Sequence, residues 1–225
     1  MKNACPMKKV AFLCTVFLLT AFLAGCESSL VTDLLARSGD RLFWDDFSNT
    51  SGGWPQITDS AGTLGYVSGS YQISIGSVTN QLLWAFSGHA YRDARVEVDA
   101  TRLGGPAQNM FGLACRAAPQ DQSYRFYFFI ISSDGYYGIG KLENKKVSLL
   151  GQQMMLFSPD IVPAGGMNHL RFDCVGQTLS GYINGQAVAL THDGDFSDGD
   201  AGLLAGTFDT PGVQVSFDNF VVVKP

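Results

Sequence analysis

The sequence predicts an all-β chain, an antiparallel two-sheet β-sandwich or jelly roll, and three features carry that expectation. Short segments alternating apolar with polar residues recur along the chain. Asp-Gly and Asn-Gly pairs sit between β-rich flanks, where a tight turn needs positive φ. Gly accounts for 26 of the 225 residues while charged residues make up only 16%, the balance of a turn-rich chain. Helical periodicity is hard to find after residue 39. With 46% hydrophobic and 12% aromatic residues the chain can fill one large β core.

The N-terminus is read separately. Lys2, Lys8 and Lys9 precede an apolar run from Val10 to Ala24, the layout of a secretory signal over residues 1–25. The run is too short and too abruptly ended for a comfortable membrane span. Residues 26–40 then read as a polar tether, with a short amphipathic helix conceivable at Leu30 to Leu35, and the folded domain is expected over 41–225.

Within the domain, RLFWDDF opens a strand with Leu42 and Trp44 on one face and Phe43 on the other. Asn49 to Pro55, NTSGGWP, is a loop whose Trp54 serves either as a lid over the core or as a ligand platform. GYVSGSYQISI supplies strands with Tyr71, Ile73 and Ile75 alternating against Gln72 and Ser74, and Gln81 to Phe86 is a further short strand. In RDARVEVDATR, Val96, Val98 and Ala100 face in while Glu97, Asp99 and Thr101 face out. Asn109 to Arg116 turns Phe111, Leu113 and Cys115 inward and Arg116 the other way.

The most apolar stretch, Gln122 to Lys141, reads as a hairpin closed by a tight primed turn at Asp134-Gly135. Tyr124, Phe126, Phe128 and Ile130 lie on one side of its first strand and Arg125, Tyr127, Phe129 and Ile131 on the other. Apolar residues on both sides predict a central strand covered on two faces. Glu143 to Lys146 is a turn, Val147 to Leu150 a strand, and Gly151 to Gly166 a loop. Leu170 to Val175 leads into a second hairpin with a primed Asn184-Gly185 turn, and the acidic stretch Asp193 to Asp200 is a loop. Two last strands, AGLLAGTF and VQVSFDNFVVV, bring the total to about a dozen.

Two cysteines fall in the domain, Cys115 in FGLACR and Cys174 in LRFDCV. An oxidising compartment would join them as a disulfide; two buried free thiols is the alternative.

Leu23-Ala24-Gly25-Cys26 resembles the lipobox of bacterial lipoproteins, which implies cleavage before Cys26 and acyl chains on it, and so an extracytoplasmic, membrane-anchored protein of a bacterial cell envelope. Glu27 lacks the Asp that marks inner-membrane retention in some bacteria. Cleavage removes three of 15 basic residues and none of 20 acidic ones, leaving 12 − 20 = −8. Nucleic acid is not an expected partner of so acidic a chain.

In order, DDF, GYxxGxY, ISSDGYYGIGK, LxxxCVGxxLxxYxNG, GDxGLLAGTF and VxFDNFVV resemble concanavalin A-like lectin/glucanase (LamG-like jelly-roll) domains, from about Phe43 to Val223. The resemblance implies two antiparallel sheets, one with a concave face for an extended glycan, a fold that hosts lectins, glycan-binding modules, glucanases and adhesive modules alike. Glucanases of this type carry Glu-x-Asp-x-Glu, or Glu-x-Asp-x-x-Glu, on a strand. Glu97 and Asp99 satisfy half of it, but Thr101 and Arg102 stand where the second glutamate belongs, so no catalytic pair at the required separation is expected. The better reading pairs Glu97 or Asp99 with Arg116 or Arg125 on a solvated face.

The three histidines, His89, His169 and His192, form no zinc spacing, and there is no GxSxG elbow. No cofactor is expected, though calcium stays open at Asp193, Asp195, Asp198 and Asp200, or where Asp45 or Asp46 nears Asp218. A glycan needs flat aromatic faces flanked by planar polar groups. Trp54, Tyr66, Tyr127 and Tyr182 with Glu97, Asp99, Arg116 and Arg125 are the candidate set, provided that they share the concave side. The expected function is a lipid-anchored module binding carbohydrate or a surface ligand without catalysis. The alternatives are a glycoside hydrolase of the same fold, glucanase or 3-keto-glycoside type, and a structural or adhesive envelope module.

Overall fold

The computed structural model describes residues 37–163 and 165–225. The signal sequence, Cys26 and all but the last residues of the tether lie outside them. Arg37 to Asp40 form a turn that exchanges backbone hydrogen bonds with Lys224, so the folded unit already includes residue 39. Among the described residues every regular element is a strand: β1 (Arg41–Asp45), β2 (Ile57–Thr58), β3 (Thr63–Val67), β4 (Ser70–Ile75), β5 (Leu82–Tyr91), β6 (Ala94–Gly104), β7 (Asn109–Gln120), β8 (Ser123–Ile131), β9 (Tyr136–Glu143), β10 (Lys146–Leu149), β11 (Leu156–Phe157), β12 (Met167–Val175), β13 (Thr178–Ile183), β14 (Gln186–His192), β15 (Gly199–Thr207) and β16 (Val213–Val223).

They form two antiparallel sheets, as predicted. A nine-stranded sheet runs β14-β13-β12-β6-β16-β4-β3-β2 with β1 added alongside β16, and a seven-stranded sheet runs β10-β9-β8-β7-β15-β5 with β11 added alongside β9. The core between them holds the residues that alternation assigned inward, including Tyr71, Ile73 and Ile75, Val96, Val98 and Ala100, and Phe111, Leu113 and Cys115. Cys115 of β7 and Cys174 of β12 are disulfide-bonded across that core, joining one sheet to the other.

The two hairpin turns differ. Asn184 and Gly185 both have positive φ, 50° and 85°, as a primed turn requires. At Asp134-Gly135 only the glycine does, with φ 100°. There Gly135 N–H donates to Ser132 O at 3.0 Å, a type I turn over Ser132 to Gly135 with glycine last, not the two-residue primed turn expected. Strand β5 runs on to Tyr91, well past Phe86, through a register break between Phe86 and Ala90 that interrupts the alternation of its first half.

The two-sided burial of β8 has an unexpected cause. Tyr127, Phe129 and Ile131 fill the inter-sheet core, while Phe126, Phe128 and Ile130 face outward and are nevertheless buried. Among the described residues no further sheet lies over them, though Leu149 and Met155 pack against their edge. Instead, glycines of β9 and β15 leave room into which neighbouring side chains lean: a Cβ on Gly140 would meet the Phe128 ring at 2.3 Å, and one on Gly202 the Phe86 ring at 2.7 Å. Trp84, Phe86, Tyr124, Phe126 and Phe128 thus form a self-packed aromatic layer, ring centroids 5.0 to 6.5 Å apart, on the outer face of the seven-stranded sheet.

Candidate functional site

The eight residues put forward from the sequence do not form one site. Trp54 and Tyr66 belong to an aromatic cluster at one end of the core. Trp54 is 3% exposed, packed edge-on against Phe47 at 5.3 Å and Phe220 at 4.9 Å, and its backbone N–H donates to Tyr66 Oη. Trp54 is therefore the lid over the core and not a platform.

Tyr127, Arg116 and Arg125 lie under the acidic loop. Tyr127 is fully buried; its hydroxyl donates to Asp193 and accepts from the Phe196 N–H, and burial together with that carboxylate pushes it up to about 12. Alternation was expected to carry Arg116 out to solvent. It is 3% exposed, because a bulge with φ 54° re-aims it, and its guanidinium donates to Arg92 O, Phe196 O and Asp93. Arg125 stacks on the Phe196 ring at 4.7 Å.

The acidic loop is held by a lysine. Lys141 pairs with Asp193 at 3.0 Å and with Asp195. Asp198 accepts from Ser197, and Asp200 turns into the sheet to accept from Ser87, Gly88 and Ala201. Asp193 and Asp195 thus meet at the lysine, while Asp198 and Asp200 turn to other partners. At the other suggested calcium position, Asp45, Asp46 and Asp218 each accept from a nearby backbone N–H, those of Phe47, Ser48 and Asn219. Among the described residues no three acidic, histidine or cysteine side chains converge on a metal position.

Glu97, Asp99 and Tyr182 share the outer face of the nine-stranded sheet. Their partners are not Arg116 or Arg125, which sit elsewhere, but the facing residues of β12: His169 opposite Asp99, Arg171 opposite Glu97 and Asp173 opposite Arg95. His169 bridges the two acids, Nδ1 2.8 Å from Asp99 and Nε2 3.4 Å from Glu97, and Arg171 lies over Tyr182 at 4.3 Å. Cross-strand pairs of opposite charge at every second position make a ladder that fixes the register of β6 against β12.

The bond to Glu97, opposed by partial burial and supported by Asp99, raises the His169 pKa to about 9, and the same bond holds Glu97 low. A raised histidine contributes stability fully below its ordinary value near 6.5 and loses it as pH climbs through about 9. The melting temperature is therefore expected to fall between pH 6 and pH 9.5, and His169→Gln to flatten that slope. With the side chain 43% exposed, solvent screening limits the effect to on the order of 1 kcal/mol. An unchanged pH slope in His169→Gln would show that the imidazole carries none of it.

The surface feature with the chemistry of a ligand site is a pocket that the sequence did not single out. It opens at the end of the outer face of the seven-stranded sheet, has a volume of about 360 Å³, and is lined by Gln108, Ser132, Asp134, Tyr136, Met155, Phe208 and Asp209. Four connections converge there: β6 to β7, β8 to β9, β10 to β11, and β15 to β16.

Buried hydrogen bonds fix its floor. Asn109 is fully buried; its amide donates to Pro106 O at 2.7 Å and to Ser133 Oγ, and accepts from the Ser133 N–H. Ser132 Oγ accepts from the Asn109 N–H and donates its one proton to Asp134, with Ala107 O also within reach at 3.2 Å. The β6–β7 loop and the β8–β9 turn are thereby locked together before any ligand arrives. Over the turn lies Phe157, 64% exposed and edge-on to Tyr136 at 5.9 Å. It sits so close to Gly135 that a Cβ there would meet its ring at 2.7 Å, so glycine is required both by φ and by this approach. Asp209 and Gln108 have no side-chain partner among the described residues.

A scan against protein-family models returned no match, and a search of curated proteins returned none. Solved structures do resemble the chain. The carbohydrate-binding module CBM66 from Bacillus subtilis superposes with a TM-score of 0.60 at 20% identity over 76% of this chain and 95% of that one. A protein of unknown function with a galectin-like fold from Bacillus subtilis gives 0.61 at 14% identity over 84% and 97%. A Bacillus licheniformis β-glucanase gives 0.59 at 10% identity over 81% and 98%. Identities this low speak to architecture. The fold is a concanavalin A-like jelly-roll sandwich.

Proposed function

We propose that this protein is a lipid-anchored, extracytoplasmic module that binds a glycan without catalysis, and that the glycan occupies the pocket walled by Tyr136 and Phe208. The observation that carries this reading is the pocket's composition on a rigid floor. Aromatic faces are supplied by Tyr136, Phe208 and neighbouring Phe157, and planar hydrogen-bonding groups by Asp134, Asp209 and Gln108. A sugar ring offers an apolar face to the first and hydroxyls to the second, and the volume is within the usual range for small-molecule sites. A carbohydrate-binding module and a glycanase among the structural neighbours agree with a glycan ligand.

The non-catalytic half of the reading rests on Glu97 and Asp99. They lie on the opposite sheet from the pocket, His169 ties both, and Thr101 follows where a glucanase strand carries its second glutamate. The anchoring half rests on the lysine-flanked apolar run ending in Leu23-Ala24-Gly25-Cys26.

The test is a glycan array probed with the chain from residue 27 onward, which contains every described strand. Selective binding is expected, weakened at least tenfold in Tyr136→Ala, with no release of reducing sugar. A blank array, or binding indifferent to Tyr136→Ala, counts against the pocket, and turnover counts against the non-catalytic reading. In cells, the full-length protein should partition into detergent and Cys26→Ala should not; equal partitioning of the two removes the lipid anchor.

A further inference from the structure

Resting on the glycan reading, the charge of the pocket points to a narrower ligand class. We propose that the site selects glycans bearing free amino groups over neutral ones, and excludes those bearing carboxylate or sulfate. Two carboxylates, Asp134 and Asp209, line the pocket, and no lysine, arginine or histidine does. Asp134 accepts from Ser132 through Oδ1, which leaves Oδ2 for a ligand, and Asp209 has no partner among the described residues. Four cations of the described residues are committed elsewhere: Lys141 to the acidic loop, Arg116 to Asp93 and two carbonyls, and Arg95 and Arg171 to the ladder.

An anionic sugar entering the pocket would meet like charge with no counter-cation, an arrangement that costs affinity and rejects the wrong ligand. An ammonium on a sugar ring would instead donate charge-assisted hydrogen bonds to the two acids while the ring lies against Tyr136 and Phe208. The net charge of −8 from residue 26 onward, 12 basic against 20 acidic residues, repels anionic polysaccharides at longer range as well.

The experiment compares amino, neutral and carboxylated members of gluco-, galacto- and manno-configured oligosaccharides with matched linkages. It uses the chain from residue 27 onward in low salt with a chelator present. The expected order is amino over neutral by about tenfold, a factor worth about 1.4 kcal/mol, with no binding of the carboxylated members. Asp209→Asn, an exposed loop substitution whose melt verifies folding, should bring amino and neutral ligands to within about twofold of each other. High salt should do the same to the wild type. Equal or tighter binding of a carboxylated member overturns this inference and leaves glycan binding standing. So does an order that Asp209→Asn leaves unchanged, or binding that appears only when calcium replaces the chelator, since the acids would then be holding a metal. A blank across all members overturns the glycan reading itself.

Discussion

Replacing Cys115 and Cys174 together by alanine is expected to lower the stability of the sandwich by about 4 kcal/mol in the chain-entropy account of a loop this long. The two cysteines are 59 residues apart in sequence. The bond closes a loop containing β8, β9, β10 and β11, most of one half of the seven-stranded sheet, and fastens it to β12 of the other sheet. In the unfolded chain that closure removes many conformations, and in the folded one it costs little, because both cysteines already sit in the common core. For a domain of this size the loss corresponds to a fall in melting temperature of about 10 °C. Both residues are at most 1% exposed, so a reductant should act slowly on the folded protein and readily once denaturant is added. Comparing the reduced wild type with the double variant separates the cross-link from the methyl-sized space left by alanine. A shift below about 1 kcal/mol in both would mean that the sheets are held by packing alone.

Such a bond was legible in the sequence because the two cysteines of the domain each stood in a strand-like run of a chain expected in an oxidising compartment, and alternation was a reliable guide to the core. It placed Val96, Val98 and Ala100, and Tyr71, Ile73 and Ile75, in the core without error. It failed where two faces had to be told apart. Strand β8 is apolar on both sides, so its period alone could not say that Tyr127 points into the core and toward the acidic loop, or that Phe126 and Phe128 lie over glycines on the outside. It failed again at bulges, which shift the count by one residue: Arg116 was carried outward on paper and is turned inward by the bulge after Cys115.

The candidate pocket was illegible for a different reason. Gln108, Asp134 and Asp209 come from three separate connections, Tyr136 opens β9, and the four share no spacing. The one local signal was the Asp134-Gly135 pair, which read as turn chemistry. Of the eight aromatic and charged residues that the sequence suggested for a ligand, Trp54, Tyr127 and Arg116 are buried, and the side-chain polar groups of Tyr127 and Arg116 are bonded internally. Large amphipathic side chains near strand ends serve the fold as readily as they serve a ligand.

Arg116 gives the second large effect. Its guanidinium is 3% exposed, and burial pulls its pKa below the usual arginine range while Asp93 opposes that shift. What keeps so buried a charge tolerable is a partner for each of its three nitrogens: Arg92 O at 3.0 Å, Phe196 O at 2.9 Å and Asp93 at 3.2 Å. Arg116→Ala removes the cation and leaves two carbonyls and a half-buried carboxylate without it, a loss expected to cost about 3–5 kcal/mol. The backbone makes the test sharper. At φ 54° alanine is strained as arginine is, but glycine is not, so Arg116→Gly should recover roughly 1 kcal/mol of that loss. The damage should also be directional. Phe196 loses the donor that holds its carbonyl while Tyr127 still grips its N–H, so amide exchange should rise first in residues 193–198 and last in the strands of the inter-sheet core. Chemical denaturation of the three proteins, read with hydrogen exchange, decides the matter. If Arg116→Ala costs less than about 1 kcal/mol and exchange in the acidic loop is unchanged, the buried arginine is replaceable by water, and Lys141 and Tyr127 suffice to hold that loop on the sheet.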